Sequence, residues 1–347
     1  MSSVLVTGGA GFIGSHTCIK LLENKYDVFV IDSFYKTSSE TLIKIQKYIN
    51  KKYPNYSNKL YFFEGDIKNQ ILIDKVFIKA KELNKKINSV IHFAGFKSVY
   101  DSIYNPILYW DNNLGGTISL LKSMYKNDCK ILVFSSSATI YDANNTKMIK
   151  ENTSINPINP YGKTKAAIES LLIDTYQSNK NKWRIANLRY FNPVGAHPDS
   201  FIGEDINGEV RNLFPNIIQV AKGLKEFVSI YGNDWPSLDG TCIRDYIHVM
   251  DIAEAHMRTL SYLFSKKSEF INLNLGTGIG KSVLEVIKTF EDTNKVCIPY
   301  LFKSRRKGDR ARLVADIELS RKILNWQPLY SLSEMCRDSW LNNNNKI

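Results

Sequence analysis

One short stretch constrains this chain more than any other. Thr7-Gly8-Gly9-Ala10-Gly11-Phe12-Ile13-Gly14 follows an apolar β-branched run, Val4-Leu5-Val6, and opens a segment of helical periodicity. Glycines in that setting serve a tight turn, close approach of backbone to a pyrophosphate, and close packing of helix on sheet. The helix start adds free N–H groups that suit an anion. Gly8, Gly11 and Gly14 are spaced G-x-x-G-x-x-G, unlike the G-x-G-x-x-G of simple dehydrogenases. Such a turn alone can be only a turn. Here Asp32 ends the second strand run, 18 residues past Gly14, where a carboxylate accepts hydrogen bonds from ribose hydroxyls and repels a 2′-phosphate. No arginine lies nearby, so the pattern predicts NAD and not NADP.

The rest of the first half repeats that strand–helix unit. Ser3–Thr7, Val28–Ile31, Leu60–Phe63, Ser89–Phe93 and Ile131–Ser135 read as buried parallel strands. Ile13–Glu23, Gln70–Lys86 and Ile107–Tyr125 read as helices between them, followed by helix Tyr161–Tyr176 and strand Arg184–Arg189. This alternation predicts an α/β fold, a doubly wound parallel sheet with helices on both faces. After Asn192-Pro193 loops rich in Gly, Asn, Asp and Pro separate isolated elements such as Val210–Gly223 and Ser282–Phe290. The expected organisation is a dinucleotide-binding domain over residues 1–192, with a return segment near 247–276, and a smaller mixed α/β lobe over 193–347.

Composition removes other classes. At 347 residues, with 44% hydrophobic and 23% charged, the chain is long enough for two domains and is neither disordered nor fibrous. No apolar run approaches the roughly 20 residues of a membrane span. Strand residues begin almost at Met1, so no cleaved leader is expected. Cys18, Cys129, Cys242, Cys297 and Cys336 are scattered, with no C-x-x-C and no His/Cys cluster, which suits reduced thiols in the cytoplasm and no metal site. The net charge of +12 comes from dispersed lysines without a stripe of interleaved aromatics, so it favours an anionic small molecule over nucleic acid.

Tyr161 and Lys165 stand four apart in Tyr161-Gly162-Lys163-Thr164-Lys165, on one helix face. A phenol of pKa about 10 is a poor base at neutral pH. A neighbouring ammonium and a positive nicotinamide ring would bring it toward the working range. Ser137, at the end of Phe134-Ser135-Ser136-Ser137, can share the proton of a substrate hydroxyl. Other positions are weaker on chemistry alone. Asp66-Ile67 follows the third strand, where Asp66 can meet adenine or cap a helix. His92 reads as a packed strand residue.

These motifs, with FAGFKSV, YWDNNLGGT, FSSSATIYD, LRYFNPVGAHPD, DGTCIRDYIHVMDIA and NLGTGIGKSV, make the chain similar nearly end to end to the extended short-chain dehydrogenase/reductases. Among these it resembles the UDP-galactose (UDP-glucose) 4-epimerases. The resemblance implies that Gly8, Gly11, Phe12, Ile13, Gly14, Asp32, Ser33, Asp66, Ile67, Phe93, Ala94, Gly95, Lys97, Asn112, Tyr161, Lys165 and Phe191 contact NAD. Ser33 stands where the family often has asparagine. Ser137, Tyr161 and Lys165 form the catalytic set. Asn192, Asn212, Leu213, Tyr231, Arg244, Arg306, Asp309 and Leu313, with Lys97, Ser137 and Tyr161, would hold a UDP-sugar. The arginines would face its diphosphate and Asp309 the uridine ribose. The departures are a lysine-rich loop and helix, Thr37–Lys59, and the positions after Arg310.

The reaction so implied is reversible 4-epimerisation through a transient 4-keto sugar with NADH held on the enzyme. A homodimer built on helices Pro106–Tyr125 and Tyr161–Tyr176 is also implied. Two rivals carry less weight. A nucleotide-sugar 4,6-dehydratase needs an acid pair after the serine, where this chain reads Ser137-Ala138-Thr139-Ile140. A non-catalytic NAD-sensing module has no need of Ser137, Tyr161 and Lys165. Leu313, the fourth residue after Asp309, takes a position that lines the sugar pocket in the family. Tyrosine there blocks a 2-acetamido group and cysteine admits it. Leucine is intermediate, and the expectation is that UDP-N-acetylglucosamine is accepted less efficiently than UDP-glucose.

Overall fold

The strands that read as unbroken apolar runs do so because they are buried along their whole length. β1 (Ser3–Thr7), β2 (Asp27–Asp32) and β5 (Ile131–Ser137) have no residue open to solvent. A sheet covered by helices on both faces demands this. A computed structural model describes residues 2–56, 59–142, 148–206, 210–306 and 309–344. Along the chain run β1, α1 (Phe12–Glu23), β2, α2 (Ser39–Lys52), β3 (Leu60–Glu64), α3 (Gln70–Glu82), β4 (Ile87–His92), α4 (Val99–Tyr104), α5 (Pro106–Tyr109), a π turn (Trp110–Gly115), α6 (Gly116–Lys126), β5, α7 (Pro160–Ser178) and β6 (Arg184–Tyr190). There follow β7 (Asn192–Val194), α8 (Leu213–Ala221), β8 (Val228–Tyr231), β9 (Ile243–His248), α9 (Val249–Phe264), β10 (Glu269–Leu275), β11 (Gly280–Ser282), α10 (Val283–Asn294), β12 (Tyr300–Lys303), β13 (Arg312–Leu313), α11 (Glu318–Leu324) and α12 (Leu332–Asn344).

The seven-stranded sheet has the order β10-β6-β5-β4-β1-β2-β3, with β3–β2, β2–β1, β1–β4 and β4–β5 paired in parallel. This is the doubly wound arrangement that the sequence predicts. The strand order reverses between β1 and β4, and their carboxyl ends are where such sheets take ligands. Leu5, Phe29, Val90, Leu132 and Phe134 pack against Val76, Phe77, Leu120, Met124, Ile168 and Leu172 of the helices.

The chain forms two compact units. One holds Met1–Asp142, Ser154–Arg189 and Ala253–Leu273, and the other Ala143–Thr153, Tyr190–Ile252 and Asn274–Ile347. The sequence pattern put the division at 192 and the return at 247–276, and it did not separate 143–153. That excursion closes where the Asp142 N–H meets the Ser154 carbonyl, while Ile149 bridges Ala315 in the second unit. The second unit is a mixed lobe in which β9 pairs β7 and β13 in parallel and β11 in antiparallel, while β12 pairs β8. Its core gathers Phe214, Ile217, Ile230, Tyr246, Ile287, Phe290 and Met335.

Two elements differ from expectation for local reasons, whereas the helix expected in the lysine-rich stretch is present. The lysine-rich stretch forms α2, capped by Ser38, because Leu42, Ile45 and Ile49 recur on one buried stripe. α3 stops at Glu82, where Asn84 takes a positive φ and the Lys85 N–H turns back to the Ala80 carbonyl. The segment read as one helix from Ile107 carries the π turn, which shifts its hydrogen-bond register by one residue.

Candidate active site

At the carboxyl end of β1 the backbone leaves no room for side chains. Gly8 has φ +71°, and a Cβ on it would lie 2.7 Å from the Ala94 nitrogen. A Cβ on Gly14 would overlap the Gly8 carbonyl. Gly11 is the N-cap of α1, and no side chain satisfies the first N–H groups of that helix. The Phe12, Ile13 and Gly14 amides therefore form an anion-ready helix start. Asp32 is buried, its Oδ2 accepting the Ala10 N–H at 2.9 Å, and its Oδ1 the Phe34 N–H at 3.0 Å and the Thr37 hydroxyl at 2.9 Å. The carboxylate thus fixes the glycine turn and the loop carrying Ser33. Phe93 and Ala94 hang from the Thr7 carbonyl, which brings Phe93-Ala94-Gly95 beside the glycines. A glycine cradle, a free helix start and a strand-end carboxylate fit a dinucleotide.

Of the two readings of Asp66, the cap is excluded. Asn69 caps α3, while Asp66 lies exposed and accepts the Lys68 N–H at 2.8 Å. Ile67 beside it is buried against Gly116. Lys97 is exposed, and Asn112 donates to Asn113 at 3.1 Å. His92 is a packed strand residue, held between the hydroxyls of Thr7 at 2.6 Å and Thr117 at 3.0 Å.

The same unit assembles the three catalytic candidates. Asn159 caps α7 through the Gly162 N–H at 2.8 Å, and Gly162 packs so close to the Thr139 carbonyl that a Cβ would come within 2.8 Å. That approach sets Tyr161 against the end of β5, near enough to Ser137 for its hydroxyl to act on the phenol. The Ser137 oxygen accepts the Thr139 N–H at 3.2 Å and hydroxyl at 3.0 Å, which leaves its own hydrogen for the phenol. Lys165 is buried and donates to the Ser135 carbonyl at 2.7 Å, with its Nζ 5.8 Å from the Tyr161 ring centre.

The expected lowering of the phenol by this ammonium is not what the protein alone produces. Burial dominates and pushes Tyr161 up to about 12, the Ser137 hydrogen bond acting in the opposite sense. Burial also pushes Lys165 down to about 8, against the pull of Glu169. The lysine spends its hydrogen bond on Ser135, so its effect on the phenol is remote. A positive nicotinamide ring beside the phenol would act in the lowering direction.

Two groups escaped the sequence reading. Asn113, in the π turn, is buried and takes the Phe96 N–H at 2.8 Å, while its amide reaches the Phe96 carbonyl and the Thr164 hydroxyl. It ties the loop after β4 to the catalytic helix. Glu169 lies one turn beyond Lys165 and pairs with Arg189 at 2.6 Å. Its spacing after Tyr161 and Lys165, a further i+4 step, was the available signal.

The second unit holds eight of the substrate candidates, and five of them come together. Arg306 stacks over Tyr231 at 4.5 Å and binds Asp309 at 2.9 Å. Arg244 approaches Asp309 at 3.8 Å and stands in register with Leu313 across the β9–β13 pair. Two cations thus share one carboxylate, leaving a surplus positive charge for an anion. Asn212, at the start of α8, is exposed and caps nothing with its side chain, and Leu213 follows it. Phe191 is buried, and Asn192 pairs with Tyr246 in β9. Lys307 and Gly308, between Arg306 and Asp309, lie outside the described residues.

The geometry has close counterparts. Residues 5–339 match the family described as GDP-mannose 4,6 dehydratase. The UDP-glucose 4-epimerase of Bacillus subtilis is 44% identical over 338 residues, covering 97% of this chain and 96% of that protein. Two crystal structures are 40% identical and cover 99% of both chains. One is the UDP-glucose-4-epimerase of Stenotrophomonas maltophila with NAD and formylated UDP-arabinopyranose, at a TM-score of 0.92. The other, from Bifidobacterium longum with NAD+ and UDP, has a TM-score of 0.91.

Proposed function

This chain belongs to the UDP-glucose 4-epimerase family, and from that premise we infer the parts that its own residues play. The enzyme is an NAD-dependent isomerase that interconverts UDP-glucose and UDP-galactose. Bound NAD supplies the acceptor and donor of hydride at sugar C4, so that a transient 4-keto sugar can be reduced on either face. Tyr161, as phenolate, takes the proton of the 4-hydroxyl and later returns it. Ser137 orients the phenol oxygen, and Lys165 adds positive charge behind it. Gly8, Gly11 and the N–H groups of Phe12, Ile13 and Gly14 receive the pyrophosphate, with Asp32 on the ribose.

Arg244 and Arg306 grip the diphosphate of the UDP moiety, Asp309 the uridine ribose, and Tyr231 backs Arg306. A firm hold there leaves the sugar free to turn and present its other face. Residues 1–192 with the return near 247–276 act as the cofactor domain and 193–347 as the substrate lobe. The serine strand favours this chemistry over dehydration, because Ala138 and Thr139 stand where an acid pair would be needed. The meeting of Ser137, Tyr161 and Lys165 where the end of β5 packs on α7 is the observation that carries the reading. Purified protein given UDP-glucose should yield UDP-galactose without added reductant. Product that appears only with added reductant would overturn it.

The active form is a homodimer. Ile103, Tyr104, Ile107 and Leu108 on α4 and α5 and Ile173 on α7 leave large apolar surfaces in water, more than a lone chain gains by exposing. Sedimentation at micromolar concentration should give twice the chain mass. Among the described residues no helix is long and apolar enough to cross a membrane, and the five thiols are unpaired, which supports a cytoplasmic enzyme.

A further inference from the structure

Glu169 and Arg189 are each about 2% exposed and pair at 2.6 Å, and neither has been given a part in cofactor or substrate binding. Burying two ions costs more than filling the same volume with apolar side chains, so stability alone is a poor reason to keep them. We propose that this ion pair is a positioning element of the reaction, one that holds Ser135-Ser136-Ser137 against α7 and sustains the charge on Lys165. The proposal rests on the reading of Tyr161 as base.

Three consecutive serines meet three successive turns of one helix. Ser137 acts on the Tyr161 phenol, the Ser135 carbonyl takes Lys165 at 2.7 Å, and the Ser136 hydroxyl gives its hydrogen to Glu169 Oε1 at 2.5 Å. The same oxygen accepts Arg189 Nε at 3.0 Å, and Oε2 accepts Arg189 Nη2 at 2.6 Å. Arg189 comes from β6, the neighbour of β5 in the sheet, and its Nη1 is anchored on the Tyr141 hydroxyl at 2.8 Å. The carboxylate is therefore pinned from two strands, and through Ser136 it fixes the residue between the two that hold Lys165 and Tyr161.

The charges around Lys165 give the pair its second effect. From β4 comes His92, whose protonation the ammonium opposes, and from β5 the Phe134 ring and the Ser135 carbonyl. On α7 itself are Tyr161 and Glu169, and Tyr109 faces the phenol from α5. Glu169 is the carboxylate that acts on Lys165, so losing it weakens the case for a charged lysine. Deprotonation of Lys165 then begins at lower pH, and activity falls with it.

The test compares NAD-loaded Glu169→Gln, Ser136→Ala and the double variant Glu169→Leu with Arg189→Met across the alkaline range. Glu169→Gln should lower kcat roughly tenfold with KM little changed, and move the alkaline limb down by about one pH unit. Glu169→Asp should restore part of that limb. The double variant refills the core, so it should melt near wild type yet keep the shifted limb. Ser136→Ala should lower kcat severalfold at constant KM. If Glu169→Gln does not fold, the double variant and Ser136→Ala decide. A folded variant with the wild-type kcat and alkaline limb overturns the proposal. Lys165→Met separates the readings. If it too leaves rate and limb unchanged, the base assignment fails, whereas if it alone abolishes turnover, only the present proposal falls.

Discussion

The Lys165 ammonium stands 5.8 Å from the centre of the Tyr161 ring and spends its hydrogen bond on the Ser135 carbonyl. Burial pushes the phenol up to about 12, which favours the protonated form of Tyr161 at neutral pH. Tyr161→Phe should cost about two orders of magnitude or more in kcat, the usual share of a general base. NAD content, read after acid denaturation, should not change. Near-normal turnover of UDP-galactose would remove Tyr161 from the mechanism.

The glycine turn makes a separate claim about the cofactor. Gly8→Ala forces a Cβ against the Ala94 backbone at a positive φ, which costs about 1–2 kcal/mol before any clash. The variant should be purified with much less NAD and melt at lower temperature. Undiminished NAD content would show that the turn does not cradle the cofactor.

His92 gives the fold an acid limit. Burial holds its imidazole down to about 3, with Lys165 adding to the effect. The unfolded chain takes up that proton near pH 6.5 while the native one does not, so this contribution is full above 6.5 and drains as pH falls toward 3. At about 1.4 kcal/mol per pH unit, roughly 3 kcal/mol should be gone by pH 4. Urea unfolding at both pH values measures it. His92→Gln should flatten the difference, and an unchanged slope in that variant would assign the acid sensitivity elsewhere.

Arg306 is exposed and stacked on Tyr231, and the proposed role gives it the diphosphate. Arg306→Ala should raise KM for the UDP-sugar about 10- to 100-fold, the worth of one charge-assisted hydrogen bond, with a smaller change in kcat. An unaltered KM would take the diphosphate away from this residue.

Leu313 pairs with Arg244 and is half-buried, close enough to the arginine to influence what lies beside it. Wild-type protein should turn over UDP-N-acetylgalactosamine more slowly than UDP-galactose, and Leu313→Tyr should abolish only the former. If the wild type never converts the acetylated sugar, leucine already closes the gate.

The doubly wound sheet was legible because burial on both faces forces continuous apolar runs, and the glycine turn because its backbone geometry admits no other residue. Tyr161, Lys165 and Ser137 were legible as residue types at meaningful spacings. Asn113 was not, since a π turn depends on packing against Phe96 and Thr164, far away in sequence. The pH behaviour of Tyr161 was also hidden, because desolvation is a property of the finished fold. In the substrate lobe, Arg244 and Arg306 could be told from ordinary surface cations only by resemblance. Their convergence on Asp309 needs β9 and a distant loop to meet.

The order β10-β6-β5 also bears on how the protein is made. β6 ends at Tyr190 and its outer partner begins at Glu269, so nearly eighty residues must leave the ribosome before that edge is closed. At about 5–20 residues per second the wait is roughly 4–16 s, during which a strand that the finished fold buries offers unpaired backbone to any passing chain. Newly synthesised protein should therefore be most vulnerable to aggregation while its second half is still emerging. Truncation just after β6 should leave a product that depends on chaperones to stay in solution.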